Sequence, residues 1–185
     1  STAMKFIWLF PLFLCNHFIA SEKQTKPTFR VIGGKKTEIS KVPYIVQFRL
    51  YGIVFCGGTL VSPVFVITAA HCFEKEFIVK ESILVVGGVT HIEENGVESG
   101  VKTLKIPDAF DKETMSPDVA VVELKQIMMG DNIETVKLCS APLNVGDNLQ
   151  ISGWGAIEND VLPNNLHTTL TNVVCKLLGS TSFSM

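Results

Sequence analysis

The sequence predicts an all-β protein, a barrel or sandwich built from short strands. Two observations carry that expectation. From Val31 onward the apolar residues come in short runs, with no sustained 3.6-residue period. Turn signals recur between the runs, at Gly33-Gly34, Gly57-Gly58, Gly87-Gly88, Asn95-Gly96 and Gly146-Asp147-Asn148.

Each candidate strand has its own reason. Residues 44–50 alternate in part and place Gln47 and Arg49 on one face. Residues 64–68 form a run of aromatic and β-branched residues, which suit a pleated surface. Residues 83–86 are apolar throughout and end at a glycine pair. Residues 119–124 are apolar except for Glu123, and Asp118 heads them. Residues 149–152 follow the turn signal at Gly146. The chain shows no internal repeat, low-complexity tract or interdomain linker.

Composition bounds the function. The hydrophobic set is 46% of 185 residues and charged residues are 18%, a balance that supports a packed core and excludes a disordered tail. Sixteen bases against 18 acids give a net charge of −2, so no basic excess points to nucleic acid. The amino end reads as an address. Lys5 precedes the apolar run Phe6-Ile7-Trp8-Leu9-Phe10-Pro11-Leu12-Phe13-Leu14-Cys15, and small residues Ala20 and Ser21 follow. That pattern is a secretory signal peptide over residues 1–20, with Met4 as the natural start and cleavage after Ala20. The run is well short of the ~20 residues of a membrane span, so no membrane partner is expected. A polar, Lys-rich propeptide over 21–30 ends at Arg30. Beyond it remain 12 bases and 17 acids, an acidic body. Four of the five cysteines also remain, as disulfide candidates in a secreted chain.

Four motifs carry chemistry. The first is Arg30-Val31-Ile32-Gly33-Gly34, where a cut after Arg30 by a trypsin-like enzyme would create an α-ammonium on Val31. The second is Thr68-Ala69-Ala70-His71-Cys72, with Cys56-Gly57-Gly58 sixteen residues before Cys72. The third is Asp118, 47 residues after His71, at the head of an apolar strand. The fourth is Gly153-Trp154-Gly155.

In this order the motifs resemble the trypsin/chymotrypsin family of secreted serine proteases. The resemblance covers about residues 31–175 and implies two six-stranded β-barrels. The first would be complete at roughly residues 31–137, and the second only partly present. It implies that residues 31–185 form a protease domain incomplete at its carboxy end, with unpaired strand edges and loose packing over the final forty residues. By the same resemblance His71 is the general base, Asp118 holds its ring, and Cys56 pairs with Cys72. The Gly-Trp-Gly marks the second barrel. Cys139 and Cys175 have no clear partners, and a bond between them stays open.

The family's serine lies in a Gly-Asp-Ser-Gly-Gly loop, and no such sequence occurs here. Ser180, Ser182 and Ser184 lack the flanking glycines. The acid that would receive the Val31 ammonium is missing with that loop. The implied function is a secreted serine endopeptidase zymogen whose 185 residues lack the nucleophile and are inactive. The alternative is a non-catalytic homologue acting as a binding or regulatory module. Implied partners are a protein or peptide substrate and an activating protease that cuts after Arg30. No cofactor is expected, and the acidic residues of 88–98 read as a solvated loop rather than a metal site.

Overall fold

Six strands pair in a ring. The computed structural model describes residues 34–74, 78–155, 162–177 and 180–184, with side chains through 173. After a two-residue β1 (Lys35–Lys36) come β2 (Ile45–Leu50), β3 (Ile53–Ser62) and β4 (Phe65–Thr68). Next are β5 (Ile83–Gly87), β6 (Val97–Lys105) and β7 (Ala120–Leu124). Strands β2 to β7 close an antiparallel barrel in the order β2-β3-β4-β7-β6-β5. The carboxy-terminal part holds β8 (Asn148–Gly153), β9 (His167–Leu177) and β10 (Ser180–Ser184). Here β9 is central, pairing with β8 along one edge and with β1 and β10 along the other. Among the described residues the first barrel is complete and the second is a four-stranded sheet, as the resemblance implied. No helix there is long and apolar enough to cross a membrane.

Alternation explains the barrel. In β7, Ala120, Val122 and Leu124 are buried while Val121 and Glu123 face outward. Val122 and Leu124 join Val46, Phe48, Leu60, Val66, Ile83, Val85, Val101 and Met128 in one core. Burying each such side chain contributes about 1.5–3 kcal/mol. Strand β2 departs from the half-buried pattern, because both of its faces are covered. Gln47 and Arg49 do share a face, but the segment around residues 90–94 closes over it.

Five expected strands exist with boundaries within a residue or so, whereas β3, β6, β9 and the short β1 and β10 were not expected. The Gly57-Gly58 pair, read as a turn, lies inside β3. There Gly58 permits close packing: a Cβ would sit 2.6 Å from Val66 Cγ1 and 2.7 Å from Phe48 Cε2. The glycine signals at 88 and 146 are turns, with φ of +78° and +91°.

A second apolar cluster joins barrel and sheet, with Ile39, Val42, Ile45, Val86 and Val89 packed against Trp154 and Leu166. Thr90 ties the same joint. Its carbonyl accepts from the Trp154 indole N–H and the Leu166 N–H, both at 2.9 Å, and its hydroxyl accepts from Ile39 N–H. The expected loose packing of the carboxy end is therefore only partly found. Trp154, Leu166 and Val173 are buried, whereas Leu162 and Leu170 are exposed. The second cluster buries Trp154 and Leu166.

Candidate active site

Strand pairing brings His71 and Asp118 together. Strands β4 and β7 run antiparallel with Thr68 opposite Ala120. The end of β4 therefore lies beside the start of β7. His71 follows Thr68 by three residues in a 3-10 turn, Ala70–Phe73, and Asp118 precedes Ala120 by two. The carboxylate uses both oxygens on the histidine. Oδ1 accepts the His71 backbone N–H at 2.9 Å, and Oδ2 lies 2.8 Å from ring Nδ1. Both side chains are mostly buried, 22% and 16% exposed.

This geometry decides the ring's chemistry. An ionised carboxylate only accepts, so Nδ1 carries the hydrogen and Nε2 becomes the basic nitrogen of the neutral ring. The 3-10 turn is clamped from several directions. Cys72 is bonded to Cys56, the pairing the resemblance implied. Phe73 packs edge-on against Phe48 and Phe55, at centroid separations of 5.8 and 6.3 Å. The buried Thr68 hydroxyl donates to Gly57 O at 2.7 Å and fixes the strand end that leads into the turn. Thr68 was named in the sequence only as the first residue of the histidine motif, with no role of its own, and Phe73 was not named. Their only local signal is position beside His71-Cys72.

The other expected site residues fall differently. Arg30 and Val31 lie outside the described residues, as do the signal and propeptide segments. The Ser180, Ser182 and Ser184 side chains and the Cys175 sulfur also lie outside them. Cys139 is an exposed free thiol. Trp154 packs at the joint between barrel and sheet.

Cys56, His71 and Cys72 are the one group among the described residues whose donor atoms cluster closely enough to hold a metal ion. The disulfide removes both sulfurs as ligands. In the acidic loop, Glu94 Oε2 accepts the N–H groups of Thr90 and His91 at 2.8 and 3.0 Å. Those bonds hold the Glu94 carboxyl below its ordinary range. Arg49 is buried beneath this loop, its guanidinium bonded to Gln47 Oε1 and Glu94 O. Burial pushes its pKa down, and Glu98 and Glu94 partly oppose that.

An antiparallel closed barrel, a second sheet joined to it and a histidine–aspartate pair at the ends of two adjacent strands define the trypsin-like double-barrel class. The Trypsin family model matches residues 31–182, somewhat past the stretch expected from the motifs. The chain belongs to that family. It is similar to Seminase of Drosophila melanogaster, 42% identical over 132 residues that cover 71% of this chain and 48% of the relative. It is similar to Trypsin of Simulium vittatum, 34% identical over 138 residues that cover 70% of this chain and 55% of that one. The chain thus spans about half the length of these curated relatives. The solved structure of human heparin binding protein shares the fold, with a TM-score of 0.69 at 20% identity, covering 78% of this chain and 66% of that one.

Proposed function

We propose that this chain derives from a secreted trypsin-like serine endopeptidase made as a zymogen. In this reading residues 1–20 are the signal peptide, 21–30 the propeptide and 31–185 part of the protease domain. The observation that carries it is the 2.8 Å contact of Asp118 Oδ2 with His71 Nδ1, with Oδ1 on the same residue's backbone N–H. His71 Nε2 takes the proton of an attacking serine and returns it to the leaving amine. Asp118 holds the ring and stabilises the imidazolium formed between these steps. Cleavage after Arg30 by a trypsin-like enzyme activates the protein. The substrate is a protein or peptide.

The nucleophile and the oxyanion-hole amides would come from a Gly-Asp-Ser-Gly-Gly loop, which these 185 residues do not contain. A base without a nucleophile has nothing to deprotonate, so this stretch alone does not hydrolyse peptides. The second reading is a secreted non-catalytic homologue that binds through the first barrel.

A chimera separates the two. The chain is continued from β9 with the corresponding remainder of Seminase, cleaved after Arg30 and assayed on a panel of peptide esters. The endopeptidase reading expects hydrolysis, with a loss of about a thousandfold or more in kcat for His71→Ala. A folded chimera whose hydrolysis ignores His71→Ala refutes the base assignment. A folded but inert chimera supports the binding module.

A further inference from the structure

The segment joining barrel and sheet has a property that the His71–Asp118 site does not use. After β7 the chain is anchored by Glu134 N–H on Pro43 O and Val136 N–H on Leu60 O. It is anchored again where Gly146 N–H meets Val173 O. Between these anchors no backbone–backbone hydrogen bond involves residues 137–143 among the described residues. Residues 137–142, Lys-Leu-Cys-Ser-Ala-Pro, are all exposed, Leu138 at 71%. A protease must draw several residues into an extended conformation in its cleft. Exposed chain without backbone pairing yields to that most easily.

Lys137 is set apart from the other described basic residues by this surrounding. Lys35, Lys36, Lys102, Lys105 and Lys176 lie in paired strands. Lys41 and Lys80 lie in 3-10 turns. Lys112 lies in a loop closed by reciprocal bonds between Asp111 and Ser116, and Lys125 N–H bonds Gly100 O. Arg49 is buried.

We propose that the Lys137–Leu138 bond is a second processing site, cut by an endopeptidase that cleaves after basic residues, giving a two-chain protein. Water adds across the peptide bond. The Lys137 carbonyl gains the hydroxyl and ends as a carboxylate, and the Leu138 nitrogen gains a proton and ends as an ammonium. Leu138 presents no proline on the leaving side.

The cut leaves the barrel with His71 and Asp118 on one piece and β8 and β9 on the other. Several contacts still bridge the pieces: β1 on β9, Thr37 N–H on Leu166 O, Ile92 N–H on Asn164 O, and Trp154 and Leu166 on Thr90. The Cys56–Cys72 disulfide lies wholly on the amino side, and Cys139 is free. The pieces therefore stay associated when native and part under denaturation without reductant.

The test is limited digestion of the full chain with a trace of trypsin, followed by intact mass and amino-terminal sequencing. The expected first cut beyond Arg30 follows Lys137. Lys137→Gln slows that first internal cut at least tenfold, while Lys112→Gln leaves its rate unchanged. The nicked pieces elute together on native size exclusion and separate on a denaturing gel run without reductant. A first internal cut elsewhere, or an unchanged rate in Lys137→Gln, overturns the site. Pieces that separate under native conditions overturn the two-chain protein.

Discussion

Replacing Asp118 with Asn tests the orienting pair without changing its size. In the native protein two hydrogen bonds from His71, at 2.9 and 2.8 Å, end on a carboxylate that is 16% exposed. Asparagine keeps one acceptor and presents an amide NH2 in place of the other. The Oδ1 bond to the His71 backbone N–H survives as a neutral bond. The ring bond reverses, because the amide donates to Nδ1 and moves the ring hydrogen to Nε2. A hydrogen bond to a charged group contributes about 1.5–3 kcal/mol against about 0.5–1.5 for a neutral one. Each bond thus weakens by about 1 kcal/mol, and the pair by about 2 kcal/mol. With a urea m-value of ~2 kcal/mol per molar, the unfolding midpoint falls by about 1 M. Nitrogen-15 NMR of the neutral ring reads the tautomer directly, with the hydrogen on Nδ1 in the native protein and on Nε2 in Asp118→Asn. An unchanged midpoint together with an unmoved ring hydrogen would refute the reasoning.

Other perturbations follow the same physics. Leu60→Ala empties a fully buried position in the barrel core and should cost about 2–5 kcal/mol in urea unfolding; less than 1 would mean the core collapses around it. Replacing Cys56 and Cys72 together by Ala removes a cross-link of sequence separation 16, worth about 3 kcal/mol on the chain-entropy estimate, read as a lowered midpoint with the fold retained by circular dichroism. Glu94 has its folded pKa depressed, chiefly by the His91 and Thr90 N–H bonds. Its contribution is therefore present above its ordinary value of 4.5 and is lost as pH falls through the lower folded value. Glu94→Gln should flatten the acid limb of a stability–pH curve and leave its slope at neutral pH unchanged; an unaltered acid limb contradicts the assignment.

The sequence was legible where apolar residues met turn residues. Strands β2, β4, β5, β7 and β8 show that contrast directly. Strand β6 hides it, because Glu98, Ser99, Gly100 and Lys102 read as polar chain, yet Ser99 is buried and exchanges hydrogen bonds with Gln126. Strand β9 hides it too, since Thr168, Thr169 and Thr171 have no apolar alternation. Gly57-Gly58 misled because a glycine can serve close packing as well as turning. Motif order pointed to His71 and Asp118, whose contact the fold shows, and the same resemblance pointed to the disulfide. The roles of the supporting residues were not legible. Thr68 stood in the motif but without its bond to Gly57 O, and Phe73 packs on Phe48; only the folded chain brings these partners near, as it brings Trp154 to Thr90 at the joint between barrel and sheet. The Arg49–Gln47 network was half legible. Their shared face followed from period 2, but its cover by residues 90–94 did not.

The central claim is that these 185 residues hold a base and its orienting acid without a nucleophile. It is tested most directly by treating the purified, Arg30-cleaved chain with a fluorophosphonate probe and measuring the intact mass. The expected result is no covalent adduct, in the native protein and in His71→Ala alike. A stoichiometric adduct that disappears in His71→Ala would show that a serine of this chain is activated by His71, and would contradict the claim.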